Sequence, residues 1–276
     1  MSKVTTFKLR QMKDEGKKVT MLTAYEYSTA KLLDEADIDI LLVGDSLGQV
    51  MLGYDSTIPV TMDEMIHHVK AVVRGTKKAM VVADMPFMSY HLTVEESIRN
   101  AGRFLKEGGA NAVKVEGGAE IAETIKAIVN VGIPVIGHLG LTPQSINILG
   151  GYRVQGRDEE TARKIISDAK VLEKAGVFAI VLEAIPAALA EIISQEVRVP
   201  TIGIGAGKGC DGQVLVTQDL LGLFSDFTPK FVKKFANLKP IVLEALSEFK
   251  TEVQQGKFPA IEHSYTMEEE ELSKLY

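Results

Sequence analysis

Along this chain a short Val/Ile/Leu-rich run repeatedly gives way to a polar or glycine-containing turn, then to a helical pattern, then to an Ala/Gly turn that opens the next run. The runs fall at Val19 to Ala24, Ile40 to Gly44, Ala79 to Asp84, Ala112 to Gly117, Pro134 to Leu139, Ala179 to Ala184 and Pro200 to Ala206. They alternate little between apolar and polar residues, as parallel strands covered on both faces do. An eighth run, Gln213 to Thr217, follows Ala206 too closely for an ordinary crossover helix. The pattern predicts an α/β fold, a single-domain (β/α)8 TIM barrel over residues 1–262 with an N-terminal helix and a C-terminal helical extension. An open doubly wound sheet shares the rhythm and differs mainly in closure.

Helix boundaries agree with this reading. Thr61 with Glu64 and Thr93 with Glu96 have the spacing of a capping box. Thr142-Pro143 and Thr228-Pro229 place a hydroxyl before a proline at a first helical position, and Gly108-Gly109 and Gly176 suit helix ends. From Thr228 the pattern is helical to about Gln255, and residues 263–276, including Glu268 to Glu271, form an acidic tail expected to be flexible and solvated.

Composition excludes several functions. Asp and Glu number 37 against 31 Lys and Arg, a net charge of -6 that would repel a nucleic-acid backbone. No apolar run approaches a membrane span, and the first residues lack the apolar core of a signal peptide. The single cysteine, Cys210, rules out a disulfide or a cysteine-based zinc site within one chain and suits a reducing cytoplasm.

In a barrel, functional groups sit where strands end and βα loops begin. Asp45 follows Leu41-Leu42-Val43-Gly44, Asp84 follows Val81-Val82-Ala83, and Glu116 ends Val113-Lys114-Val115. Three carboxylates on one rim repel one another, and a hard cation such as Mg2+ would compensate them while leaving positions open for substrate. Taken singly, each acid could simply cap the next turn. Lys114 shares a strand face with Glu116 and could neutralise a substrate carboxylate or oxyanion, or form a structural ion pair. Glu183, embedded in Ala179-Ile180-Val181-Leu182-Glu183-Ala184, is expected to have a raised pKa and to accept a proton as general base, with a buried structural acid as the alternative. His138 could transfer protons or orient a carbonyl, or be a hydrogen-bonded core histidine. Gly203-Ile204-Gly205-Ala206-Gly207-Lys208-Gly209 fails as a nucleotide motif: Gly209 stands where a P-loop needs Ser or Thr, and Lys208 where a dinucleotide fingerprint needs Gly.

These residues lie in segments through which the chain resembles the ketopantoate hydroxymethyltransferase family. The segments are Thr23-Ala24-Tyr25, Val43-Gly44-Asp45-Ser46-Leu47-Gly48, Asp55-Ser56-Thr57, Ala83-Asp84-Met85-Pro86-Phe87 and Lys114-Val115-Glu116-Gly117-Gly118. They continue in Gly137-His138-Leu139-Gly140-Leu141-Thr142-Pro143-Gln144-Ser145, Gly150-Gly151-Tyr152, Val154-Gln155-Gly156-Arg157, Leu182-Glu183 and Gly203-Ile204-Gly205-Ala206-Gly207. The resemblance implies Mg2+ held by Asp45, Asp84 and Glu116, and the oxo acid bound at Asp45, Ser46, Asp84 and Lys114. It implies Glu183 as proton acceptor, with His138 also available to handle protons. The implied reaction carries a one-carbon unit from 5,10-methylenetetrahydrofolate to 3-methyl-2-oxobutanoate through an enolate, giving 2-dehydropantoate. The resemblance also implies a homo-oligomer, a decameric ring of identical barrels.

Two other readings stand beside it. The phosphoenolpyruvate mutase and isocitrate lyase group also uses barrel carboxylates and Mg2+ on 2-oxo acids, but its lyase members need a reactive cysteine from the middle of the barrel, and Cys210 follows the seventh run. A non-catalytic small-molecule-binding barrel would use the acids as caps and show no metal dependence.

Overall fold

The computed structural model describes residues 3–223 and 228–276. The strands are β1 (Val19–Thr23), β2 (Ile40–Val43), β3 (Met80–Asp84), β4 (Ala112–Glu116), β5 (Val135–Gly140), β6 (Ala179–Glu183), β7 (Thr201–Ile204) and β8 (Gly212–Leu215). They form a closed parallel barrel in chain order, with β8 paired to β1. The helices are α1 (Thr6–Asp14), α2 (Tyr27–Glu35), α3 (Leu47–Val50), α4 (Met62–Gly75), α5 (Val94–Arg103) and α6 (Ala122–Asn130). They continue with α7 (Ile146–Leu149), α8 (Glu159–Ala175), α9 (Ala187–Glu196), α10 (Thr217–Leu221), α11 (Leu238–Gln254) and α12 (Glu269–Leu272).

The period of two along each strand separates two cores. Leu41, Val43, Val81, Ala83, Val113, Val115, Ile180 and Leu182 face the helices. Met21, Ile40, Leu42, Met80, Val82, Ala112, Ile136 and Val181 fill the barrel, where Val4 and Leu9 of the N-terminal segment join them. Continuing the inward parity toward the strand ends exchanges apolar residues for polar ones: Val82 is followed by Asp84, Ala112 by Lys114 and Glu116, Ile136 by His138, and Val181 by Glu183. The lower barrel is therefore a hydrophobic plug and its C-terminal rim a layer of charge.

The helix signals behave according to their chemistry. Thr61 and Glu64 form the complete capping box on α4, and Thr93 Oγ1 accepts from the Glu96 amide at the start of α5. Gly109 and Gly176 end their helices in the left-handed region. Thr142 caps nothing with its side chain, but Pro143 opens a short 3-10 turn over Pro143–Ser145. The helix anticipated from Thr228 begins only at Leu238, a correction to the sequence reading. Phe231 instead lies against Gly205, where a Cβ would come within 2.8 Å of the ring, so this stretch is held by an aromatic contact rather than a helical ladder.

Closure at β8 needs no helix. The connection over residues 205–211 returns from β7 directly to β8, which pairs in parallel through Ile202 with Gly212 and Gly203 with Gln213. At ~3.3 Å per residue an extended loop of this length outreaches a four-residue strand, so the return is geometrically open. The described residues divide into two compact units, one drawn from Met1–Thr217 and Thr228–Val232, the other from Gln218–Phe227 and Lys233–Tyr276. The barrel is the first. In the second, α11 buries none of its residues. No helix among the described residues is long and apolar enough to cross a membrane.

Candidate active site

Strand register assembles the site. Asp84 on β3 stands opposite Lys114 on β4, and Glu116 on β4 opposite His138 on β5. On the far side of β5, Gly140 pairs with Glu183 of β6. Asp45 follows β2 and reaches the same layer, where its amide donates to Asp84 Oδ2 at 3.2 Å. Gly44 permits this approach, since a Cβ there would lie 2.8 Å from Ser46 Oγ and 3.4 Å from Asp84 Oδ2.

Lys114 is the electrostatic centre. Its Nζ lies 3.0 Å from Asp84 Oδ1, 3.6 Å from Glu116 Oε1 and 3.2 Å from His138 Nδ1. Burial disfavours its charge, but Asp84, Glu116 and Asp45 outweigh that and raise its pKa, so it is a fixed cation. Asp45 is driven well above the usual carboxylate range by burial and by the charges of Asp84 and Glu116. Asp84 is raised chiefly by burial, whereas His138 and Lys114 overcome burial to hold Glu116 low.

His138 bridges two acids: Nδ1 is 3.2 Å from Glu116 Oε1 and Nε2 is 3.2 Å from Glu183 Oε2. Burial and Lys114 oppose its protonation, yet the Glu116 charge and the close approach of the Glu116 and Glu183 carboxylates push it up to about 9. Glu183 differs from the acid sealed in a strand that its apolar neighbours suggest. Its side chain is 16% exposed, against 3% for Glu116 and 4% for Asp84, because it terminates β6 at the open rim. Ala184, the next residue, has φ +46, a strained backbone that turns the chain away immediately after the acid. Ser46, at the start of α3, lies 2.8 Å from the buried Tyr25 hydroxyl through its Oγ.

All seven residues singled out from sequence, Asp45, Ser46, Asp84, Lys114, Glu116, His138 and Glu183, therefore lie at the C-terminal end of the barrel. Sequence reasoning missed three partners: Tyr25 on Ser46, and Gln144 and Tyr90, which bond to Asp45 and Glu116. A glutamine embedded in Leu139-Gly140-Leu141-Thr142-Pro143-Gln144 just past a strand end was the available signal.

The donor set suits a hard cation. Three buried carboxylates face one lysine and one histidine, and burial together with the charges of Asp84 and Glu116 raises Asp45. Among the described residues no three His, Cys, Asp or Glu side chains form a ready-made cage. Glu116 accounts for this, with Oε2 taken by the Gln144 amide and Oε1 facing His138 and Lys114. Two carboxylates completed by water and substrate oxygens match the coordination that Mg2+ prefers.

A closed parallel barrel whose C-terminal rim gathers acids, a lysine and a histidine around an open end is the framework of an enzyme acting on small molecules. Solved structures of this fold include a phosphonopyruvate hydrolase complex with oxalate and Mg++, at TM-score 0.62 and 14% identity, covering 99% of this chain and 94% of that one. Another is phosphoenolpyruvate phosphomutase from Streptomyces platensis, at TM-score 0.61 and 15% identity over 98% and 93% of the two chains. At these identities the likeness is one of fold. The closer similarity is of sequence: 58% over 276 residues, all of both chains, to 3-methyl-2-oxobutanoate hydroxymethyltransferase of Syntrophomonas wolfei. It is 60% over 273 residues, 99% of this chain and 98% of the other, to the enzyme of that name from Clostridium novyi. Residues 3–261 match the family Ketopantoate hydroxymethyltransferase, and the chain belongs to that family.

Proposed function

We propose that this chain transfers the one-carbon unit of 5,10-methylenetetrahydrofolate to C3 of 3-methyl-2-oxobutanoate, giving 2-dehydropantoate and tetrahydrofolate, the first committed step toward pantothenate. The observation that carries the reading is the juxtaposition, in one buried layer, of the Asp45–Asp84 acid pair with Lys114, next to the Glu116–His138–Glu183 row ending at the open rim. The relatives at 58–60% identity bear the name of this activity.

Asp45 and Asp84 would hold Mg2+, with Glu116 supplying negative charge beside them. When bound, the ion supplies Lewis-acid polarisation of the 2-oxo group. Lys114 presents a desolvated ammonium to the substrate carboxylate or the oxygen on which charge develops, where a fixed charge in a dry site is most effective. Ser46, oriented by Tyr25, donates a second hydrogen bond to the oxo acid. Water breaks the methylene group away from the folate nitrogens, leaving tetrahydrofolate and a formaldehyde-level carbon. Glu183 accepts the C3 proton, the resulting carbanion attacks that carbon, and the oxygen on it takes up a proton to become the new hydroxyl. His138, between Glu116 and Glu183, orients the base and provides a route for the proton.

The single reduced cysteine and the absence of a membrane-spanning helix among the described residues support a cytoplasmic enzyme. The exposed Ile241, Leu243, Leu246 and Phe249 on α11 support assembly into a homo-oligomer. The test is direct: purified protein is mixed with 3-methyl-2-oxobutanoate, 5,10-methylenetetrahydrofolate and Mg2+, and the acid is followed by mass spectrometry. Gain of one hydroxymethyl group is expected, and its absence from folded, Mg2+-replete protein would refute the assignment.

A further inference from the structure

Gln144 occupies a position that none of the roles above uses. It lies in the turn after β5, 4% exposed, and each of its amide groups is engaged by a different part of the rim. The side-chain nitrogen donates to Asp45 Oδ2 at 2.8 Å and to the Met85 carbonyl at 3.0 Å. The side-chain oxygen accepts from the Tyr90 hydroxyl at 2.7 Å. The backbone amide donates to Glu116 Oε2 at 3.0 Å.

The chemistry fixes the orientation of this amide. Turned over, it would set its oxygen against the Asp45 carboxylate and the Met85 carbonyl and would give up the hydrogen it now accepts from Tyr90. Tyr90, 2% exposed, accepts from the Glu116 amide at 3.1 Å and passes its own hydrogen to Gln144. A closed circuit results, from the Glu116 amide to Tyr90, to the Gln144 side chain, and from the Gln144 amide back to the Glu116 carboxylate. The remaining donor of Gln144 is aimed at Asp45. Pro143 sets this up: it opens the turn, and the Ser145 amide closes it on the Thr142 carbonyl at 2.9 Å, which turns the Gln144 amide toward Glu116.

We infer that Gln144, locked by Tyr90 and anchored to Glu116 through its backbone amide, is the positioning residue that holds the Asp45 carboxylate beside Asp84 for the divalent cation. Among the bonds described, no other side chain is hydrogen-bonded to the Asp45 carboxylate, and without Gln144 that carboxylate, beside Asp84 and Glu116, would turn away to relieve repulsion. The inference rests on the proposed metal site, and it concerns affinity for the ion rather than the proton transfer.

Mn2+ titration followed by electron paramagnetic resonance tests it, since Mn2+ shares the oxygen preference of Mg2+ and its free and bound signals differ. Gln144→Met keeps the length and removes the amide, and Tyr90→Phe removes only the hydroxyl that locks it. Partners of this kind change metal affinity by about 10- to 100-fold, so Gln144→Met should weaken Mn2+ binding by that range, and Tyr90→Phe should weaken it in the same direction by less. Excess metal should return the turnover of Tyr90→Phe toward wild type, which a purely structural defect would not do. Unchanged Mn2+ affinity in folded Gln144→Met overturns the inference. Should that variant fail to fold, unchanged affinity in Tyr90→Phe overturns it equally. Wild-type binding that is lost in Asp84→Asn but kept in both variants removes this inference alone, whereas no binding by the wild type removes the metal site with it.

Discussion

His138 Nε2 and Glu183 Oε2 lie 3.2 Å apart at the rim, with Nδ1 of the same ring 3.2 Å from Glu116 Oε1. One imidazole thus ties the acid nearest solvent to the acid beside Lys114. The two residues should separate in kinetics. A base removed from the reacting carbon costs about 100- to 10,000-fold, so Glu183→Gln should lose C3 proton abstraction on that scale. His138→Gln should retain more of it, because Glu183 keeps its place on β6. Steady-state rates of the two variants at saturating substrate decide the order.

The buried Lys114–Asp84 pair makes a stability prediction. Removing one member of a buried ion pair leaves an uncompensated charge and costs about 3–5 kcal/mol. Lys114→Met should therefore unfold at markedly lower urea, and Asp84→Asn should also destabilise. The double variant should lose less than the sum, since each change relieves the other's unpaired charge. Strict additivity in urea midpoints would mean that the pair is not coupled. Lys114→Arg should not restore activity, because a planar guanidinium cannot occupy the place of a compact ammonium.

Gly140 limits how Glu183 is held. It has φ +94, and a Cβ there would lie 2.2 Å from the Glu183 carbonyl oxygen. Gly140→Ala must therefore push β6 at the residue that carries the base. Misplacing a catalytic group by about an ångström costs on the order of 100-fold in rate. Turnover should fall on that order while KM for the oxo acid changes little, as steady-state kinetics would show.

Acid stability should depend on Asp34, far from the site. Its Oδ1 accepts from the Lys78 and Ala79 amides, both at 2.8 Å, and these bonds outweigh burial to lower its pKa. A depressed carboxyl stabilises the fold above its ordinary value of ~3.9 and loses that contribution as pH falls through the lower folded value. Asp34→Asn should lower Tm at pH 7, and the gap to wild type should narrow below about pH 4. A gap independent of pH would show that the charge is not what matters.

The barrel was legible because strands buried on both faces leave uninterrupted apolar runs, and the site because inward parity exposes where polarity replaces them, as at Val82 and Asp84. The C-terminal pattern misled: Thr228-Pro229 has the letters of a helix start, but Phe231 packs on Gly205 and the helix waits until Leu238. β8 was hard to place because its return has no helix to announce it. Gln144 and Tyr90 were illegible as a pair. Gln144 meets Asp45 across 99 positions of sequence, and only barrel closure brings those loops together. Nor does a local apolar run reveal that Glu183 stands at a strand end and reaches the opening, since sequence gives the neighbours of a residue and not its height in the barrel.

Proton exchange at C3 of 3-methyl-2-oxobutanoate in D2O, followed by NMR without folate, isolates the step assigned to Glu183. With Mg2+ the wild-type protein should exchange that proton, EDTA should stop the exchange, and Glu183→Gln should not support it. Exchange that persists undiminished in EDTA or in Glu183→Gln, or that never occurs with folded, Mg2+-replete protein, would contradict the assignment of this rim as a metal-assisted site of carbon acid chemistry.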